Sequence, residues 1–161
     1  MTLRRGVRLS FDWGQARIGV ASCDPDGVLA YPVETIQAAL GESHVAARIV
    51  DLVDTYDPIE IIVGLPRHLR GTEGEAADEV RRQASWVASL SGMPVRLVDE
   101  RLTTVAASQA LRSSGRTGRG QRSIIDQAAA VAILEHALDS ERNTGRPPGQ
   151  LIDSGRTPDG S

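Results

Sequence analysis

The sequence predicts an α/β fold in which a mixed five-stranded sheet carries helices on both of its faces. Three short apolar runs near the N-terminus are separated only by tight turns, which predicts an antiparallel meander of three strands. The later apolar runs are separated by segments with helical periodicity, which predicts two parallel strands joined through helices. The run from Ile59 to Val63 is continuously apolar, as expected for a strand covered on both faces.

Each element has its own local signal. The turn Asp24-Pro25-Asp26-Gly27 has the residue types that reverse the chain between the second and third strands. Apolar residues spaced by three or four positions predict the helices, and Thr103 is a candidate N-cap of the third. The strands are predicted at 7–12, 17–23, 28–36, 59–63 and 94–99. The helices are predicted at 44–56, 75–91, 103–113 and 124–140, with a glycine-rich basic loop at 113–122.

The length and composition predict one domain. A chain of 161 residues with 40% hydrophobic residues can bury a single core. We expect the domain to cover 1–140 and 141–161 to be a disordered tail, because Gly, Pro, Ser and Asp predominate beyond Asn143. We expect a cytoplasmic protein without membrane contact, because no apolar window reaches the length of a membrane span and no signal peptide is recognisable. The single cysteine, Cys23, excludes an internal disulfide and suits a small apolar strand position.

Charge is distributed unevenly along the chain. The net charge of −3 argues against a generally basic surface that coats nucleic acid. All 18 basic residues are arginine, the side chain that binds phosphate through two parallel hydrogen bonds. The segment 106–125 has no acidic residue and forms a local positive patch. Its basic residues are Arg112, Arg116, Arg119 and Arg122.

Asp12 is the first of three acids in apolar surroundings. It follows the apolar run of the first strand, and strand alternation places it on one face with Arg8 and Ser10. Burial of a carboxylate costs several kcal/mol (~2–7 for a polar group without a partner, more for a charge), unless it is paired or bound to a metal. The alternative interpretation is a turn aspartate that binds the backbone near Gly14.

Glu100 is the second acid, and it follows Asp99 at the end of a predicted strand. Alternation places the two acids on opposite faces, so only one of them can join a given site. Glu100 would share its face with Arg96 and Val98. The alternative is that both acids are solvated at a strand end.

Asp126 is the third acid and allows two interpretations. Ser123-x-x-Asp126 fits a capping box at the start of the last helix. A capping acid would face water, yet Asp126 aligns at helical spacing with the apolar side of that helix. Its neighbours on that side are Ala129, Ala130, Ile133 and Ala137.

Three converging carboxylates would need a cation. Each pair repels by about 4 kcal/mol at ~4 Å with an effective dielectric constant near 20. Oxygen ligands favour Mg²⁺ or Mn²⁺ over zinc, and His44, His68 and His136 with one cysteine have no zinc-binding spacing. A pair of such ions held by carboxylates can hold the attacking and leaving oxygens of a phosphodiester displacement.

Four motifs occur in order along residues 7–140. They are Asp12-Trp13-Gly14 with Arg17-Ile18-Gly19-Val20-Ala21, Val63-Gly64-Leu65-Pro66 with Gly71-Thr72-Glu73-Gly74, Asp99-Glu100-Arg101-Leu102-Thr103-Thr104, and Ile125-Asp126-Gln127-Ala128-Ala129-Ala130. Together these motifs resemble the YqgF/RuvX family of bacterial proteins, which are described as pre-16S rRNA nucleases or Holliday junction resolvases. The resemblance implies an RNase H-like fold.

The resemblance also implies the site and its chemistry. The family's acidic triad falls on Asp12, Glu100 and Asp126 as catalytic and metal-binding residues, which selects Glu100 over Asp99. It implies an endonuclease that uses Mg²⁺ or Mn²⁺ and acts on structured RNA, in 5′ processing of pre-16S rRNA, or on branched DNA. The phosphate backbone would be bound by Arg17, Arg101, Arg116, Arg119 and Arg122.

Other functions and contacts stay open from the sequence. The alternatives are a Holliday junction resolvase, a non-catalytic RNA-binding module, and an actin-like ATPase, for which the chain has room for only one of two domains. A homodimer is a further alternative. Gln15-Ala16 stands where the family commonly has a Thr-Lys pair, which removes one cation beside the site. Trp13 either stacks on a base or packs against a neighbouring helix.

Overall fold

The computed structural model describes residues 3–65, 73–99 and 119–152 and contains a six-stranded mixed sheet. Its strands lie in the order β3-β2-β1-β4-β5-β6. The strands are β1 (Arg8–Trp13), β2 (Arg17–Cys23), β3 (Ala30–Gln37), β4 (Glu60–Leu65), β5 (Val95–Asp99) and β6 (Gln150–Ile152). The helices are α1 (Glu42–Tyr56), α2 (Glu73–Ser91) and α3 (Arg119–Thr144), with a 3₁₀ turn at Ala38–Leu40.

The pairing confirms the predicted topology. Strand β2 pairs antiparallel with β1 and β3, and β4 pairs parallel with β1 and β5. The meander therefore occupies one half of the sheet, and the strands joined through helices occupy the other. None of the helices in the described ranges is long and apolar enough to span a membrane.

Two predicted segments differ from the structure or lie outside its description. Helix α3 begins at Arg119 rather than at 124, so 119–122 are helical instead of belonging to the basic loop. The sequence does not show this start, because the apolar periodicity begins only at Ile124 and Gly120 lowers helix propensity. The predicted helix at 103–113 falls on residues that the structure does not describe.

The expected disordered tail contains ordered residues. Residues 141–144 continue α3, and β6 pairs antiparallel with β5, where Val95 lies opposite Ile152. This strand makes the sheet six-stranded rather than five-stranded. Gly149 (φ +65°) precedes β6 and approaches β5 so closely that a Cβ there would lie 2.1 Å from the Leu97 carbonyl oxygen. Residues 153–161 lie outside the described part.

Strand alternation divides the sheet into two packed faces. On one face the strands pack apolar residues against α1 and α2, namely Leu9, Phe11, Ile18, Val20, Ile61, Val63, Val95 and Leu97. On the other face they pack Ala21, Cys23, Ile62 and Val98 against α3. Cys23 is buried as expected, and burial raises the pKa of its thiol.

The alanine-rich face of α3 lies very close to the sheet at Gly19 of β2. A Cβ at Gly19 would lie 1.9 Å from the carbonyl oxygen of Asp126 and 2.3 Å from its carbonyl carbon. The neighbours Ala129 and Ala130 are fully buried and short, which suits this close contact. Only glycine fits at position 19, and this contact sets the depth at which Asp126 sits over β2.

A buried ionic network that is not evident from the sequence lies at the start of the parallel strands. Glu141 of α3 accepts hydrogen bonds from Arg4 Nε at 2.8 Å and from Arg8 Nη2 at 3.2 Å. Glu60 of β4 accepts hydrogen bonds from Arg4 Nη2 and from Arg96 Nε, both at 2.9 Å. Both carboxylates are buried, and they are neutralised by guanidinium groups from three other segments.

This network gives folding stability a defined pH dependence. Burial by itself raises the pKa of Glu141, but the hydrogen bonds and charge of Arg4, with the charge of Arg8, outweigh it and lower the pKa to about 2. A carboxyl with a depressed folded pKa stabilises the fold above its unfolded pKa of 4.5, and this stability is lost as the pH falls from there toward 2. We therefore expect wild type to lose about 2 kcal/mol more unfolding free energy than Glu141→Gln between pH 5 and pH 3.

Urea unfolding at several pH values measures this difference. The glutamine variant should also be less stable at neutral pH by about 3 kcal/mol, because it leaves buried guanidinium charge without its anion. Parallel pH profiles for the two proteins would contradict the assigned role of Glu141.

Candidate active site

Asp12 and Asp126 lie on the same side of the sheet, and both are buried, with 6% and 1% of their surfaces exposed. The Ser10 hydroxyl donates a hydrogen bond to the Ala130 carbonyl oxygen at 2.7 Å, which fixes the alignment of β1 against α3. The two elements run in opposite directions, since Arg8 contacts Glu141 farther along the helix. From Ser10 to Asp12 the strand advances about 6.6 Å, and from Ala130 to Asp126 the helix advances about 6 Å in the same direction. Asp12 and Asp126 therefore lie at the same level along the sheet.

A second contact gives the same placement. Asp12 lies directly opposite Gly19 in the ladder between β1 and β2. The backbone of Asp126 packs on that same glycine. Gly19 is therefore next to both acids, since it pairs with Asp12 in the sheet and contacts the backbone of Asp126. Gly19 is not among the site residues predicted from the sequence, although a glycine within an apolar strand is a signal for close approach of another backbone.

Arg17 is part of this site. Its Nε donates a hydrogen bond to Asp126 Oδ2 at 2.8 Å, and its side chain is 28% exposed. Arg17 was predicted to bind phosphate, and the structure pairs it with a predicted catalytic acid. The Arg17 guanidinium thus places a positive charge beside the Asp126 carboxylate, independently of any metal ion. The bond uses Nε, and the remaining N–H groups of the guanidinium are chemically suited to bind phosphate oxygens.

The two non-catalytic interpretations of these acids do not fit the geometry. Because α3 begins at Arg119, Ser123 and Asp126 lie within the helix, and the capping-box interpretation of Asp126 is wrong. Asp12 lies within β1 rather than in the turn. The Gly14 N–H that a turn aspartate would bind donates instead to the Arg17 carbonyl oxygen at 3.0 Å.

Several predicted site residues cannot be placed by the structure. Glu100, Arg101 and Arg116 lie outside the described residues, and of Arg119 and Arg122 only the helical backbone is described. In β5, Val98 packs toward α3 and Leu97 toward α1 and α2, as the predicted alternation requires. Within the described ranges, no group of three or more acidic, histidine or cysteine side chains could hold a metal ion. Of the three predicted carboxylates, the structure describes two, Asp12 and Asp126, and both are buried.

The fold defines the class of protein. A meander followed by parallel strands, with a long helix packed across the sheet, is an RNase H-like fold. In agreement, the chain is similar to Thermus thermophilus RuvC, solved in complex with a Holliday junction substrate. The TM-score is 0.56 with 18% identity, covering 88% of this chain and 99% of that one. A second T. thermophilus RuvC structure gives a TM-score of 0.54.

Sequence comparisons identify the family. The family model described as "RuvX: Holliday junction resolvase" matches residues 6–140, and the chain belongs to this family. Relatives named "Putative pre-16S rRNA nuclease" include those from Streptomyces coelicolor and Streptomyces avermitilis. The first is 58% identical over 154 residues, 94% of this chain and 90% of the relative. The second is 55% identical over 156 residues, 95% of this chain and 98% of the relative.

Proposed function

We propose that this protein is a metal-dependent endonuclease that processes the 5′ end of precursor 16S rRNA. Hydrolysis of phosphodiester bonds follows from its membership of the RuvX family and from its relatives' names. The RNA substrate is carried over from relatives that match nearly the whole chain. The structural observation that supports the catalytic role is the pair of buried acids, Asp12 and Asp126, held across the Gly19 contact.

The metal ligands in this proposal are Asp12, Asp126 and Glu100. The two described acids fit a hard cation, because both offer carboxylate oxygens from one side of the sheet. Glu100 is assigned from the sequence, since it follows β5 two residues after Val98, whose side chain packs toward α3. When bound, Mg²⁺ or Mn²⁺ would activate the attacking water and stabilise the leaving 3′ oxygen.

The protein's own side chains position the reacting groups. The bond from Ser10 to Ala130 fixes β1 against α3, and the contact at Gly19 fixes the neighbouring β2 against it. The separation of Asp12 and Asp126 is therefore set by rigid elements. Arg17 orients the Asp126 carboxylate through Nε and uses its remaining N–H groups for the substrate phosphate. Arg101, Arg116, Arg119 and Arg122 are proposed to bind the backbone farther from the cut.

A second candidate is cleavage of a four-way DNA junction. It is favoured by the family description and by the RuvC fold. Such cleavage cuts two strands and calls for two sites in a symmetric dimer. The RNA function is preferred because the closely similar relatives, at more than half identity, are named for rRNA, whereas the likeness to RuvC is 18% in sequence.

A direct test offers both substrates to the purified protein. We expect a mimic of the pre-16S 5′ leader to be cut at a defined position with Mn²⁺ and to stay intact with EDTA. The four-way junction should stay intact under the same conditions. Paired symmetric nicks in the junction without RNA cleavage would favour the resolvase, and binding of RNA without cleavage would favour a non-catalytic module.

A further inference from the structure

A cavity of about 500 Å³ lies on the face of the sheet opposite α3, beside the turn that follows β1. It is bounded by that turn, the start of α1 and one side of α2. The indoles Trp13 and Trp86 meet edge to face in its wall, with ring centroids 6.4 Å apart and planes at 83°. Its polar lining comes from Gln15, Glu42, Glu79, Arg82 and Gln83.

We propose that this cavity binds the base of an unpaired nucleotide next to the cleaved phosphodiester, a site that rests on the nuclease function proposed above. The volume is in the range of pockets that enclose small ligands, about 300–1,000 Å³. Indole faces stack on any base, and the amides of Gln15 and Gln83 offer donors and acceptors to a base edge. Trp13 and Trp86 are only partly buried, so each keeps surface that a base can cover.

The charges of the lining favour a base over a phosphate. Two carboxylates, Glu42 and Glu79, and one guanidinium, Arg82, line the cavity. Arg82 is already paired with Glu79 at 2.6 Å. The lining is therefore net negative, which disfavours an anion inside the cavity and suits a neutral heterocycle whose phosphate stays outside.

The cavity lies next to the acids along the backbone. Trp13 directly follows Asp12 in β1, and alternation points Asp12 toward α3 and Trp13 toward α2. Their Cα atoms are about 3.8 Å apart. The tight turn closed by Gly14 and Arg17 lies at the ends of β1 and β2, where the two faces of the sheet meet. An RNA strand with one phosphate at Asp12 can thus pass over this turn and place the adjacent base against Trp13.

Intrinsic fluorescence tests the site without any cleavage. The chain has two tryptophans, and both line the cavity. We expect single-stranded RNA tetranucleotides in EDTA to quench this fluorescence, whereas a ribose-phosphate tetramer without bases should not. Trp86→Leu should weaken tetranucleotide binding about tenfold, as measured by fluorescence anisotropy of a labelled RNA.

A second variant tests the site in case Trp86→Leu loses binding only because it misfolds. Gln83→Ala, at a half-buried position of α2 in the cavity lining, should weaken binding about fivefold, an effect typical of a lost hydrogen bond. The matched control is Asp78→Ala on the same helix, which does not line the cavity and should bind as wild type does. Quenching by the base-free tetramer, or unchanged binding in both variants, would overturn the proposal.

The outcomes also separate this site from the nuclease function. If the protein cleaves RNA but bases do not quench its tryptophan fluorescence, the base site is rejected and the proposed nuclease function is retained. Base-dependent quenching in a protein that cuts no RNA would reject the nuclease and retain a nucleotide-binding cavity. If none of the probes is bound, the occupant is not a base, and an apolar side chain of a protein partner becomes the better candidate.

Discussion

Asp12→Asn is expected to reduce metal-dependent RNA cleavage by about 10³-fold or more while preserving the fold. The amide keeps the shape of the side chain but removes the charge that a cation requires. Asp126→Asn should lose as much activity and should in addition release Arg17 from its anionic partner. Single-turnover cleavage rates with Mn²⁺ measure the loss, and the rise in melting temperature on adding Mn²⁺ should disappear in both variants.

A surface acid on the same helix provides the matched control. Asp139 of α3 is exposed and pairs with Arg142 at 2.8 Å, away from the site. Asp139→Asn should keep wild-type cleavage and the full Mn²⁺-induced shift. If Asp12→Asn cleaved RNA within a few-fold of wild type, the two-acid site would be rejected whatever the family membership.

Gly19→Ala is expected to destabilise the protein by about 3 kcal/mol or more and to disable the site. The added Cβ would overlap the backbone of Asp126, and a backbone clash cannot be relieved by rotating a side chain. Helix α3 would have to move away from β2 and carry the Asp126 carboxylate with it. Thermal or urea unfolding measures the stability, and cleavage measured well below the melting temperature separates loss of geometry from loss of folded protein.

Gly92→Ala is the control substitution for Gly19→Ala. A Cβ at Gly92 would meet nothing within 4 Å, so the change adds only the strain of its left-handed backbone, at φ +71°. We expect a cost of about 1 kcal/mol and unchanged cleavage. Equal effects of the two alanine substitutions would show that α3 adapts easily at Gly19.

The faces of the sheet and its acids could be predicted from local pattern alone. Alternation in β1 correctly placed Asp12 with Ser10, because the strand period is two. Helical spacing correctly placed Asp126 on the buried side of α3. Both predictions depend on residues within one element, where sequence spacing determines direction.

The contacts between distant elements could not be predicted in this way. Arg17 and Asp126 are 109 positions apart, and their bond depends on how deeply α3 packs at Gly19. The ionic network at Glu141 likewise joins five separate segments. Strand β6 is not predicted, because three residues are too few to show an alternating pattern and the surrounding composition favours disorder. Its structure depends on pairing with β5.

The border strands of the sheet have a consequence for the behaviour of the protein at high concentration. On one side, in the part of the chain that the structure describes, β6 offers three residues along which another chain could extend the sheet. On the other side β3 contains Pro32, which has no N–H to donate, and an irregular register opposite Val20 and Ala21. Short and interrupted borders of this kind discourage strand-by-strand polymerisation, so the molecule should resist fibril formation through its sheet.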